Sequence, residues 1–86
     1  MLFHVTHTHH YNDCIKKSVE KQKVWNKVFF ENKSPGIEFL EVLVCRINHK
    51  SFIIVEADSV KAIESAFEPI MTFGNFEIMP VSIGKF

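Results

Sequence analysis

Apolar residues fall in two patterns along the chain: short runs of strand length, and stretches where they recur at helical spacing. Leu2–Thr8 is rich in β-branched and apolar residues and predicts a first strand. Asn12 or Asp13 offers an N-cap for a helix reaching about Phe30, with Ile15, Val19, Gln22, Trp25, Val28 and Phe29 as its inward stripe. Asn32-Lys33-Ser34-Pro35-Gly36 reads as a turn. Ile37–Ile47 predicts a long second strand, Asn48-His49-Lys50 a reversal, and Ser51–Glu56 a third strand. Asp58 or Ser59 caps a second helix that turns Ala62, Ile63, Ala66 and Phe67 inward and stops at Pro69. Gly74-Asn75 leads into a fourth strand, Phe76–Ile83.

The order βαββαβ over 86 residues predicts a single α+β domain spanning residues 1–86. Its plan is ferredoxin-like: a four-stranded antiparallel sheet in the order 4-1-3-2 with two helices on one face. A sheet covered on one side only should alternate apolar and polar residues. Here Phe39, Leu43, Cys45 and Ile47 lie on one side of strand two and Leu40, Val42 and Val44 on the other. Phe52 and Ile54 oppose Ile53 and Val55 in strand three; Phe76 and Ile78 oppose Met79, Val81 and Ile83 in strand four. Both faces read as buried, and a second copy of the sheet is the natural cover for the outer one. The expectation is a homodimer packed sheet against sheet.

Size and charge narrow the function. A domain this small buries only roughly 60–65% of its unfolded surface and gains from a metal, a disulfide or a partner subunit. Two cysteines make no disulfide framework, and Cys45 inside the apolar run reads as a core thiol. A net charge of zero argues against nucleic acid as a partner. Residues 15–33 hold six lysines against two glutamates, a pattern that favours a solvated helix face over a surface for an anionic ligand or partner. Neither a signal peptide nor an apolar run of the roughly 20 residues needed to cross a membrane is visible, so the expected location is the cytoplasm, away from any membrane.

The chemistry concentrates at the first strand's end. Four of the five histidines, His4, His7, His9 and His10, lie in the first ten residues, and Cys14 follows closely. His7 and His9 at i and i+2 of an extended segment share a side, and a thiol at a helix start can swing toward them. Imidazole and thiolate are ligands that zinc prefers and that also suit iron, nickel and copper. Three readings remain open: a metal site built from His7, His9 and Cys14, a metal-free Cys/His reactive site, and a hydrogen-bonded structural corner. A helix N-terminus at Cys14 would favour its thiolate. His4 and His10 fall on the opposite strand face.

Taking strands one and three as parallel neighbours, the cluster should lie near the end of strand three and the starts of strands two and four. Glu56, Glu38 or Glu77 would then supply a fourth ligand or orient an imidazole. His49 would sit at the opposite edge, outside the site. A second function class is a metal-free enzyme or binding module whose nine phenylalanines and Trp25 line a pocket for a small apolar ligand, with the histidines as acid/base groups.

Val5-Thr6-His7-Thr8-His9 with Cys14, together with Phe67-Glu68-Pro69-Ile70, Gly74 and Glu77-Ile78-Met79-Pro80-Val81, resembles a family of short uncharacterised prokaryotic proteins that open with a His-Thr-His strand end followed by a cysteine. Many members of that family carry proline beside the cysteine, where this chain has Ile15. The resemblance implies that His7, His9 and Cys14 act as a unit. The chain also resembles the dimeric α+β barrel superfamily, a likeness of fold that implies no particular reaction.

Overall fold

Strand β1 (Leu2–Thr8) follows from strict alternation: Phe3, Val5 and His7 are buried while Leu2, His4, Thr6 and Thr8 face the other way. The computed structural model describes residues 1–31 and 34–84, apart from the Asp13 side chain. The order is β1, α1 (Val19–Asn26), β2 (Ile37–Cys45), β3 (Lys50–Ala57), α2 (Val60–Phe67), β4 (Asn75–Val81). The four strands form one sheet, β2-β3-β1-β4, every neighbouring pair antiparallel. This is the ferredoxin-like α+β fold. The core lies between the sheet and the helices and includes Phe3, Val5, Trp25, Phe29, Ile53, Ile63 and Phe67.

Strands β1 and β3 run antiparallel, with His7 opposite Ser51 and Leu2 opposite Glu56. The parallel pairing expected from the sequence is therefore wrong. A helix-containing crossover links parallel strands, so β1 and β2 are parallel and β3, lying between them, opposes both. This places the β2–β3 turn beside the end of β1.

The first helix is shorter than its apolar spacing suggests. Three-residue 3₁₀ turns at Tyr11–Asp13 and Ile15–Lys17 precede it, broken by Cys14 in extended backbone. The α1 cap is Ser18, whose hydroxyl accepts from the Lys21 N–H at 3.2 Å, in place of Asn12 or Asp13. Val19 is consequently exposed. A π-helical turn, Lys27–Glu31, rotates Val28 and Phe29 together into the core. Ser59 caps α2 by accepting from Ala62 N–H at 3.2 Å. Of the expected turn between α1 and β2, Asn32 and Lys33 lie outside the described residues; Gly36 takes φ +81° there.

Strand β2 carries a bulge at Leu40: Phe39 pairs with Val55 and Glu41 with Ile54. The extra residue shifts the alternation, so Phe39 and Val42 both face the helices while Leu43 faces outward. Two-sided burial is not needed to explain this strand's pattern. The outer face still joins Leu43, Phe52, Ile54, His4 and Met79, with Leu43 and Met79 about half exposed. No described helix is long and apolar enough to cross a membrane.

Candidate metal centre

The end of β1, the β2–β3 turn and the break between the two 3₁₀ turns converge on one point. Just beyond β1, the His9 N–H donates to the His49 carbonyl at 3.1 Å, fastening the strand end to the turn. The two imidazoles then meet edge to face, His49 Nδ1 lying 3.2 Å from His9 Nε2. Cys14 arrives from the other side, its carbonyl accepting from the Lys17 N–H at 3.0 Å. One ligand atom from each of His9, Cys14 and His49 lies within 4.8 Å of the others. All three residues are half-buried.

These distances suit a metal ion. Ligands at about 2.0–2.3 Å from a tetrahedral zinc lie roughly 3.3–3.7 Å from one another. The imidazole pair is within a few tenths of an ångström of that spacing, and the Cys14 thiol lies within 4.8 Å of both rings. Two neutral imidazoles and a thiolate leave a fourth position for water or a ligand, the arrangement of catalytic zinc sites.

His49 brings a conformational signal of its own. It stands at φ +53°, the only described non-glycine residue with positive φ. That region favours glycine, although histidine is among the residues enriched there. The turn thus holds an imidazole where a glycine would relax the backbone, and aims it at His9.

His7 occupies a different role in the same neighbourhood. It is fully buried. Its Nε2 donates to the Phe73 carbonyl at 2.9 Å, which leaves Nδ1 to accept from the Ser51 hydroxyl at 3.3 Å. Its ring stacks on His9 at 5.2 Å between centroids and packs on Trp25 and Phe76. Burial holds its pKa below the usual histidine value, and the hydrogen bond to Phe73 only partly opposes that. With both nitrogens engaged, His7 forms the floor beneath His9.

Gly74 makes this packing possible. At φ +142°, a Cβ there would meet the Thr8 carbonyl oxygen at 2.4 Å and His7 Nε2 at 2.8 Å.

The other sequence candidates lie elsewhere. Glu38 and Glu56 face each other at the far end of the sheet, where Glu56 Oε1 is 2.7 Å from the Met1 amine. Glu77 pairs with Thr6 on the outer face. His4 sits in the middle of that face, between Ile54 and Met79. His10 is exposed and accepts from the Asn12 N–H at 3.3 Å. Cys45 is half-buried at the end of β2, not a core thiol. Because Cys14 precedes only a three-residue 3₁₀ turn, the helix-dipole argument for its thiolate does not apply.

A half-open cavity of about 380 Å³ adjoins the cluster, which forms one wall of it. The fold and the cluster define a ferredoxin-like protein with a candidate His/Cys centre at one end of its sheet. A family model described as a domain of unknown function, DUF3303, matches residues 1–83, and the chain belongs to that family. No curated protein and no solved structure matches the chain.

Proposed function

We propose that this protein is a transition-metal-binding protein, with zinc the favoured ion, and that His9, Cys14 and His49 are its ligands. His49 thereby takes the place that the sequence pattern gave to His7. The observation that carries the reading is the meeting of three soft or borderline ligand atoms, drawn from three separate segments, within 4.8 Å. The left-handed backbone of His49 supports it, because strain of this kind concentrates where a side chain must be aimed. The ion would act at a site with one open coordination position, able to polarise or hold a small ligand.

Cobalt substitution tests the ligand set. Cobalt(II) added to metal-free protein should give a thiolate-to-metal charge-transfer band in the near ultraviolet and the intense visible bands of a tetrahedral site. The charge-transfer band should vanish in Cys14→Ser, and the tetrahedral bands in His49→Gly. A cobalt spectrum identical to that of the aquo ion would overturn the proposal.

Within the same reading, the molecule works as a homodimer through the outer sheet face, where the row of Leu43, Phe52, Ile54 and Met79 favours an apolar cover.

A further inference from the structure

The cavity beside the cluster has a chemical character that the three metal ligands do not account for. Its apolar wall is built from Trp25, Phe30, Val42 and Val44. Phe30 is 65% exposed and Val44 54% exposed, so neither is there to fill the core. Lys16, from the second 3₁₀ turn, and Arg46, from the β2–β3 turn, supply two cations. Among the described residues lining the cavity there is no carboxylate.

We infer that the cavity receives a small organic carboxylate, an apolar body of about one ring carrying a single acid group, with the acid held by Arg46 and Lys16 beside the His9, Cys14 and His49 cluster. This builds on the metal reading and names the ligand class of that site. Three features of the cavity favour this ligand. First, two exposed cations at the rim of a half-open recess, with no carboxylate among its described lining residues, attract an anion, and a guanidinium binds carboxylates through two parallel hydrogen bonds. Second, the aromatic and branched wall gains by burying apolar surface at about 25 cal/mol per Å², which a bare inorganic anion cannot offer. Third, about 380 Å³ lies at the small end of ligand pockets and suits one compact molecule, not a polymer or lipid chain. A bound divalent ion with two neutral imidazoles and one thiolate adds net positive charge on the cavity wall, strengthening the same preference.

The chain's single tryptophan lies in that wall and serves as the reporter. Phenylacetate, its neutral analogue phenylacetamide, and inorganic phosphate would be titrated against metal-free and zinc-loaded protein, with Trp25 fluorescence and calorimetry as readouts. Metal content would be measured on the same samples. Phenylacetate should bind saturably, at least tenfold more tightly than phenylacetamide or phosphate. Arg46→Gln should lose about tenfold for phenylacetate and little for phenylacetamide, whereas Phe30→Ala should weaken both. Both positions are exposed, so an unchanged melting temperature would show that each variant is folded.

Equal affinity for acid and amide would overturn the proposal in favour of a neutral apolar pocket. Phosphate binding as tightly as phenylacetate would overturn it in favour of a plain anion site. No saturable binding by either form would also overturn it, even with zinc fully bound. Phenylacetate binding to protein that takes up no zinc would instead uphold the cavity assignment and remove the metal.

Discussion

Two histidines with opposite demands stand close together at the end of the sheet. His49 pays a backbone penalty to present its ring, whereas His7 is a buried, neutral, doubly hydrogen-bonded group. His49→Gly separates the two kinds of role. Glycine accepts φ +53° freely, and that relief of up to about 1 kcal/mol offsets the lost hydrogen bond and ring contact with His9, so metal-free His49→Gly should melt close to the wild-type temperature. The same variant should lose the rise in melting temperature that zinc gives to wild type. A large loss of stability without metal would instead make His49 a structural residue. His7 predicts a pH effect of known sign. Its folded pKa lies below the ordinary 6.5, so the unfolded chain takes up the proton first as pH falls. Its contribution to stability is complete above pH 6.5 and is lost as pH drops below that value toward the folded pKa. Thermal melts of metal-free protein across this range should therefore slope downward with acid. His7→Gln should flatten part of that slope, while costing roughly 1–3 kcal/mol for the buried hydrogen bonds. An identical slope in the variant would remove His7 as its source.

Among the elements, the junction leading into β4 governs the site as closely as the ligand-bearing segments do. Gly74 lets the chain pass against Thr8 and His7, and any side chain would drive the strand end away. Gly74→Ala should cost roughly 1–3 kcal/mol, which for a domain of this size lowers the melting temperature by about 4–25 °C. Zinc affinity should fall with it, because His9 rests on His7; a variant as stable as wild type would contradict this packing. The strands and α2 were legible in the sequence because short β-branched and apolar runs, Ser59 and Gly74-Asn75 are strong local signals. The start of the first helix was not. Ile15, Val19 and Gln22 keep helical spacing, yet Cys14 adopts extended backbone and Ser18 restarts the helix, a tertiary choice that periodicity does not encode. The bulge at Leu40 was hidden for a related reason, since an extra residue in an apolar run looks like burial on both faces.

Whole-molecule topology decided which residues could meet. His9 and Cys14 were marked by residue type and local spacing, but the third member depended on strand direction. Once β1 and β2 are parallel, the turn carrying His49 must lie at the His9 end, and Glu38 and Glu56 must lie at the other. The chain order itself contained that signal, through the crossover between the first two strands. The apolar row on the outer sheet face carries the proposal of a sheet-to-sheet dimer. Sedimentation equilibrium should give twice the 10.0 kDa chain mass, and Ile54→Lys in the middle of that face should shift it to the single-chain mass while leaving cobalt binding intact. A monomer in the wild type would remove the sheet-to-sheet partner without touching the metal centre.

Whether His9, Cys14 and His49 hold a metal is decided by elemental analysis of untagged protein purified with metal available and no chelator, combined with intact mass on the same sample. Close to one transition-metal ion per chain is expected, lost on replacing Cys14 with serine or His49 with glycine. A metal-free wild type, or undiminished metal in both variants, would contradict it.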